Sequence, residues 1–107
     1  MNTEFYKKYA ISSCDDIFFN TELAKASDVT LTFNDIEASF SIGKLSNDTI
    51  GISARSIGNV DVSKIMNHFN GGGHKTDAAT QIKGNDVEKV KKDLLEYLGG
   101  LDESNIY

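Results

Sequence analysis

Apolar and polar residues alternate most regularly on either side of the short polar segment Ser46-Asn47-Asp48. In EASFSIGKL the apolar positions are Ala38, Phe40 and Ile42, and in TIGISARSI they are Ile50, Ile52 and Ala54. A period of two puts each set on one face of a strand, so the pair reads as a β-hairpin closed by the SND turn. Downstream the period changes. Val62, Ile65, Met66 and Phe69 stand at i, i+3, i+4 and i+7 behind Asp61, which predicts an amphipathic helix with Asp61 as its N-cap. A second helix is predicted over NDVEKVKKDLLEYL, with Asn85 and Glu88 in capping-box spacing and Val87, Val90, Leu94, Leu95 and Leu98 facing inward. AATQI, between the two, reads as a short strand. Upstream of the hairpin, DDIFFNTELAKAS looks helical from Asp15 or Asp16, but Val29, Leu31 and Phe33 alternate in DVTLTF and propensity alone makes that piece a strand. The elements together predict an α/β domain, a small central β-sheet with helices packed on it.

The chain of 107 residues fits a single domain over residues 1–100. LDESNIY, residues 101–107 after Gly99 and Gly100, is expected to be a loose C-terminal tail. No apolar run approaches the length of a membrane span, and the N-terminus lacks the apolar core of a signal peptide. Cys14 is the only cysteine, which points to a reducing, cytosolic setting and to a buried thiol without a catalytic part. The net charge of −5 argues against a nucleic-acid coat. That charge is unevenly spread: residues 51–83 carry Arg55, Lys64, Lys75 and Lys83 against only Asp61 and Asp77. A basic patch of that size suits one small anionic ligand better than a long polyanion.

Within the positive third lies NHFNGGGHKTDAATQ, in which Gly71, Gly72 and Gly73 directly precede His74. Three adjacent glycines cost backbone entropy, and a single one would suffice to end a helix. Consecutive glycines can instead turn their N–H groups toward an anion and remove the Cβ atoms that would hold a phosphate away. Two familiar phosphate loops do not match. His74 separates Gly73 from Lys75-Thr76, which breaks a Walker A loop, and no third glycine completes a dinucleotide fingerprint. Arg55 is the only arginine, near the end of the strand GISARS, and its planar fork suits bidentate phosphate recognition or stacking on a base. Ser13, Asp15 and Asp16 read as ordinary helix-cap residues, and His68 reads as a solvated or partly packed ring mid-helix. Two histidines and no Asp-His-His cluster cannot build a hydrolytic metal centre, so the expectation is that this domain binds no metal.

GISARS, followed after a short helix by NGGGHKTDAATQ, resembles the DHH-associated domain of the DHH/DHHA phosphoesterases. With IEASFSIGKLSNDTIGISARS upstream, the likeness spans about residues 10 to 98 and is greatest to the C-terminal domain of GdpP-type cyclic-di-AMP phosphodiesterases. The resemblance favours the helix before the hairpin running on to about Phe33. It implies that Gly71, Gly72, Gly73 and His74 contact a substrate phosphate, with His74 as an accessory to catalysis, and that Arg55 holds a phosphate or flanks a base. It also implies a partner DHH domain in the same parent chain, which holds two manganese ions and is absent from this sequence. The implied substrate is cyclic di-AMP or a related small nucleotide, hydrolysed to linear pApA, rather than a long nucleic acid. The parent is expected to be membrane-anchored, with room for homodimerisation, and this domain to lie on the cytoplasmic side without touching the membrane. Two other readings share the loop: the corresponding domain of an oligoribonuclease or RecJ-like single-strand exonuclease, and a nucleotide-binding module without catalysis.

Overall fold

A computed structural model describes residues 1–104, with side chains described as far as Leu101. In chain order the elements are β1 (Asn2–Tyr6), β2 (Tyr9–Ile17), α1 (Asn20–Thr30), β3 (Ala38–Ser46), β4 (Thr49–Ser56), α2 (Val62–His68), β5 (Gly72–His74), β6 (Asp77–Lys83) and α3 (Val87–Ser104). The strands form one six-stranded sheet in the order β1-β2-β3-β4-β6-β5. Only β2 and β3 run parallel, and α1 is the crossover that parallel strands require. The α/β architecture expected from the patterning is therefore present.

The hairpin around Ser46–Asp48 is β3 and β4, with Phe40 opposite Ala54 and Ile42 opposite Ile52. Those residues, with Tyr9 and Ile11 of β2, form the apolar face, which α2 and α3 cover with Ile65, Met66, Val90, Leu94 and Leu98. Fully burying each large side chain contributes about 1.5–3 kcal/mol, so this layer dominates stability. On the opposite face α1 lies over β3 and β4. There the contact is polar: Ser27 Oγ is 2.8 Å from Ser41 Oγ and 2.8 Å from the Ser53 carbonyl oxygen, and Ser39 Oγ donates to the Ser27 carbonyl at 2.6 Å.

Four expectations are corrected. Ser13, Asp15 and Asp16 do not cap a helix; they lie in β2, where Ser13 pairs with Asn2 of β1 and Ile42 of β3, and Asp15 and Asp16 fall in the register irregularity before Ile17 pairs with Lys44 of β3. Asp15 instead meets Lys44 of β3 at 3.1 Å. The helix starts after Phe19, where Glu22 Oε1 accepts the Phe19 N–H at 2.8 Å. It ends at Thr30, and hydrogen bonds from Thr32 N–H to the Val29 carbonyl and from Phe33 N–H to the Thr30 carbonyl carry the turns on to Phe33, in keeping with the helix expected to run to about Phe33 rather than with a strand. α3 is capped one residue later than expected: Asp86 Oδ1, not Asn85, accepts the Lys89 N–H at 3.1 Å, which leaves Glu88 out of capping-box register. α3 also continues through Gly99 and Gly100 to Ser104 and buries Leu101, so the segment expected to be loose is helical there; residues 105–107 lie outside the described residues. Cys14, expected to be buried, is half-buried, and its thiol donates to Asp16 Oδ2 at 3.2 Å.

Candidate functional site

The glycine motif begins where α2 stops. Asn70, at φ 63°, is the left-handed residue that ends the helix, while Asn70 N–H donates to the Asn67 carbonyl and Gly71 N–H to the Met66 carbonyl. This is a Schellman pattern, in which asparagine takes the position more often filled by glycine. Helix termination thus does not explain the three glycines. Gly71 is pressed onto β6: a Cβ there would collide with the Ala79 carbonyl oxygen and Thr80 Cβ. The same approach is fixed from the other side by Thr80 Oγ1, which donates to the Phe69 carbonyl at 2.7 Å. Gly73 has φ 144°, and a Cβ on it would lie 2.5 Å from the Asp77 carbonyl oxygen. Gly72 has neither constraint, since φ is not positive and the nearest atom to an added Cβ is Asn67 Oδ1 at 3.4 Å. Only the middle glycine is left without a folding reason.

β5 forms the edge of the sheet, so one row of its main-chain polar groups faces away from β6. The β5–β6 turn at Lys75 and Thr76 is anchored by its carbonyls: Thr76 accepts from Ser56 N–H at 3.1 Å and Lys75 from Val62 N–H at 2.9 Å. With the turn held, register sets the side chains. Arg55 of β4 stands opposite Asp77 of β6, and Asp77 opposite His74 of β5, so three strands place Arg55, Asp77 and His74 in one row. Residues directly opposite share a face.

Arg55 is well fixed, with its side chain 19% exposed. Its Nε donates to Asp28 Oδ1 of α1 at 3.1 Å and its Nη1 to the Ala54 carbonyl at 3.0 Å, while Nη1 is ion-paired with Asp77 Oδ1 at 2.8 Å. Its Nη2, which carries two N–H donors, bonds to none of the described residues. The two carboxylates thus hold the fork in one orientation and leave one nitrogen for an incoming oxygen. They also correct the charge picture, since Asp28, remote in sequence, joins Asp77 in offsetting the local cation. Beside Arg55, where α1 stops short of β6, a cavity of about 560 Å³ opens; its walls include Asn20, Thr21, Arg55, Asn70, Asp77 and Gln81. Of the glycine motif only Gly71 borders this cavity; Gly72, Gly73 and His74 are not among its walls. His74 is exposed, and His68, also exposed, stacks on Tyr97 with ring centroids 3.8 Å apart.

The sequence singled out Arg55 and the glycine motif, but not Asp28, which braces Arg55, or Asn70 and Gln81, which line the cavity beside it. Asn70 had a signal, an asparagine just past a helix end. Asp28 had none, because 27 residues separate it from Arg55.

A sequence model of the DHHA1 domain matches residues 6–100. The chain belongs to the DHHA1 domain family. Among curated relatives of this DHHA1 domain, the cyclic-di-AMP phosphodiesterase GdpP of Bacillus subtilis is 40% identical over 90 residues, covering 80% of this chain and 14% of that protein. The cyclic-di-AMP phosphodiesterase PdeA of Listeria monocytogenes is 40% identical over 81 residues, 76% of this chain and 12% of that one. Among solved structures, an exopolyphosphatase-related protein from Bacteroides fragilis superposes with a TM-score of 0.73 at 24% identity, over 94% of this chain and 32% of that one. The structural likeness shows the shared fold. The DHHA1 chain thus spans about one-seventh of the length of the curated relatives it matches.

Proposed function

We propose that this DHHA1 domain is the substrate-binding lobe of a phosphodiesterase that hydrolyses cyclic di-AMP to linear pApA. The observation that carries the reading is the braced Arg55 in one row with Asp77 and His74, next to an open cavity, in a domain similar to two cyclic-di-AMP phosphodiesterases. Arg55 Nη2 donates to a phosphate oxygen, in the charge-assisted geometry that guanidinium favours. The outer main-chain row of β5 offers N–H groups to the same anion, and the absent Cβ of Gly72 lets that anion approach. His74 supplies an imidazole donor at the phosphate.

The manganese implied by the resemblance does not fit this domain's own side chains, because among the described residues no three His, Cys, Asp or Glu side chains gather where they could hold an ion. The metal centre is assigned to a DHH domain of the parent protein, and hydrolysis requires that domain. The lobe lies in the cytoplasm, attached to a membrane-anchored parent; no described helix is long and apolar enough to cross a membrane.

The test is cyclic-di-AMP turnover by the parent protein carrying Arg55→Lys, Arg55→Ala or His74→Ala. The lysine variant is expected to behave like the alanine variant, because an ammonium cannot reproduce the braced fork. His74→Ala is expected to lose about 10²-fold in kcat, as removal of an electrostatic or acid-base donor does. Near-normal kinetics for Arg55→Lys would reduce Arg55 to a structural ion pair. Turnover by the 107-residue chain alone with added manganese would overturn the assignment of chemistry to a separate domain.

A further inference from the structure

The cavity beside Arg55 has a lining that phosphate binding does not use. Asn20 and Thr21 come from the start of α1, Asn70 from the end of α2 and Gln81 from β6, so three elements bring three carboxamides and a hydroxyl around one space. None of these four side chains bonds to another described residue. Ala24 and Ala79 also line the cavity and keep it wide, and its volume of about 560 Å³ falls in the range of small-molecule sites. The only charged groups in the walls are Arg55 and Asp77, which are paired with each other at 2.8 Å. A neutral wall of carboxamides suits a neutral, flat ligand whose edge carries both a donor and an acceptor.

We propose that this cavity is a base subsite for adenine, read by the carboxamides of Asn70 and Gln81, with the attached phosphate at Arg55 Nη2. The proposal rests on the phosphate assignment above and extends it to the base. A carboxamide presents an N–H donor and a carbonyl acceptor side by side, matching the N7 acceptor and N6 amino donor of adenine. Guanine presents two acceptors, O6 and N7, along that edge and is best met by an arginine fork. Arg55 cannot serve as that fork, because its Nε is bound to Asp28 and its Nη1 to Asp77. The same ion pairs that prepare one nitrogen for phosphate thus turn the cavity away from guanine.

The experiment is a titration of the isotope-labelled 107-residue chain with millimolar AMP, GMP and ribose 5-phosphate, followed by nuclear magnetic resonance of the side-chain N–H groups. All three ligands are expected to shift the Arg55 Nε–H signal, and AMP alone to shift the carboxamide signals of Asn70 and Gln81. Gln81→Met keeps the length of an exposed strand side chain, and Asn70→Gly keeps the left-handed backbone. Each is expected to weaken AMP about tenfold, the loss of one to two hydrogen bonds, while leaving ribose 5-phosphate unchanged. If AMP binds no better than ribose 5-phosphate, or GMP equals AMP, or both variants bind AMP like the wild type, the base subsite is wrong while the phosphate site stands. If AMP moves the carboxamides but not Arg55, the base subsite is supported and the phosphate assignment falls. If none of the three ligands shifts any of these signals, both fall.

Discussion

The two faces of this sheet are built from different materials. One is a layer of large apolar side chains, Phe40, Ile42, Ile50 and Ile52 under α2 and α3. The other is small and polar where α1 meets it, with Ser39, Ser41 and Ser53 buried against Ser27. The strands alternate strictly, so adjacent residues of β3 and β4 belong to opposite regimes. The candidate site lies on the second face, at the step where α1 ends and β6 and β5 extend past it. A polar layer can hold an arginine, two carboxylates and a cavity without burying an unpaired charge, whereas the apolar layer could not. Under the proposed function, stability and recognition fall on different sides of one hairpin, and substitutions on the two sides should separate them.

The largest effect is expected at Phe40, which has no exposed surface. Phe40→Ala should cost about 3–5 kcal/mol from lost burial and the cavity left behind. Denaturant titration measures that loss, and phosphate binding per folded molecule should be unchanged. A variant that stayed stable but lost binding would erase the division between faces.

On the polar face, Ser27→Ala should cost about 1–3 kcal/mol, because it strips partners from the buried Ser41 hydroxyl and Ser53 carbonyl. It should also loosen α1 and with it the Asp28 brace on Arg55, so ligand affinity should fall together with the denaturation midpoint. The Phe40 and Ser27 variants therefore differ in whether binding follows stability.

The glycine motif divides in the same way within three residues. Gly71→Ala forces a Cβ into the Ala79 carbonyl and should destabilise by about 1–3 kcal/mol, as overpacking does. Gly72→Ala meets only Asn67 Oδ1 at 3.4 Å, so its stability should change by less than about 0.5 kcal/mol, as at an unconstrained surface position. Its cost should appear instead in cyclic-di-AMP turnover by the parent protein. Full activity per folded molecule with a lowered midpoint would make Gly72 a folding residue and remove it from the site.

A further effect concerns the Asp61 cap, which belongs to the apolar face through α2. Its Oδ1 accepts from the Ser63 hydroxyl and from the Ser63 and Lys64 N–H groups. The Ser63 hydroxyl, helped by those N–H groups, holds the carboxyl below its ordinary value. A carboxylate depressed on folding stabilises above its unfolded pKa, and that stabilisation is lost as pH falls through the folded value. Asp61→Ala should therefore cost about 1 kcal/mol at neutral pH. The difference from wild type should shrink as the solution is acidified below pH ~4, the ordinary range of a carboxylate. A pH-independent difference would mean that Asp61 acts by packing alone.

Much of this architecture is written locally. The β3–β4 hairpin, the α2 helix behind Asp61 and the apolar stripe of α3 follow from periods of two and of three to four, which depend only on neighbours in the chain. The motif from Gly71 to His74 and the lone Arg55 stood out by composition for the same reason. What local pattern could not supply was pairing. Asp15 and Asp16 suit a helix start yet lie in a strand, because β3 alone carries β2 past Ser13, pairing Ile17 with Lys44 beyond an irregularity in register. Tertiary structure likewise decided that Gly71 and Gly73 are required by the approach of β6, and that Asp28 and Asp77 orient Arg55. Each of these is a contact between segments distant in the chain or a backbone angle imposed by such a contact. Sequence alone thus determined which residues could do chemistry; the sheet order and the reach of α1 decided which of them meet.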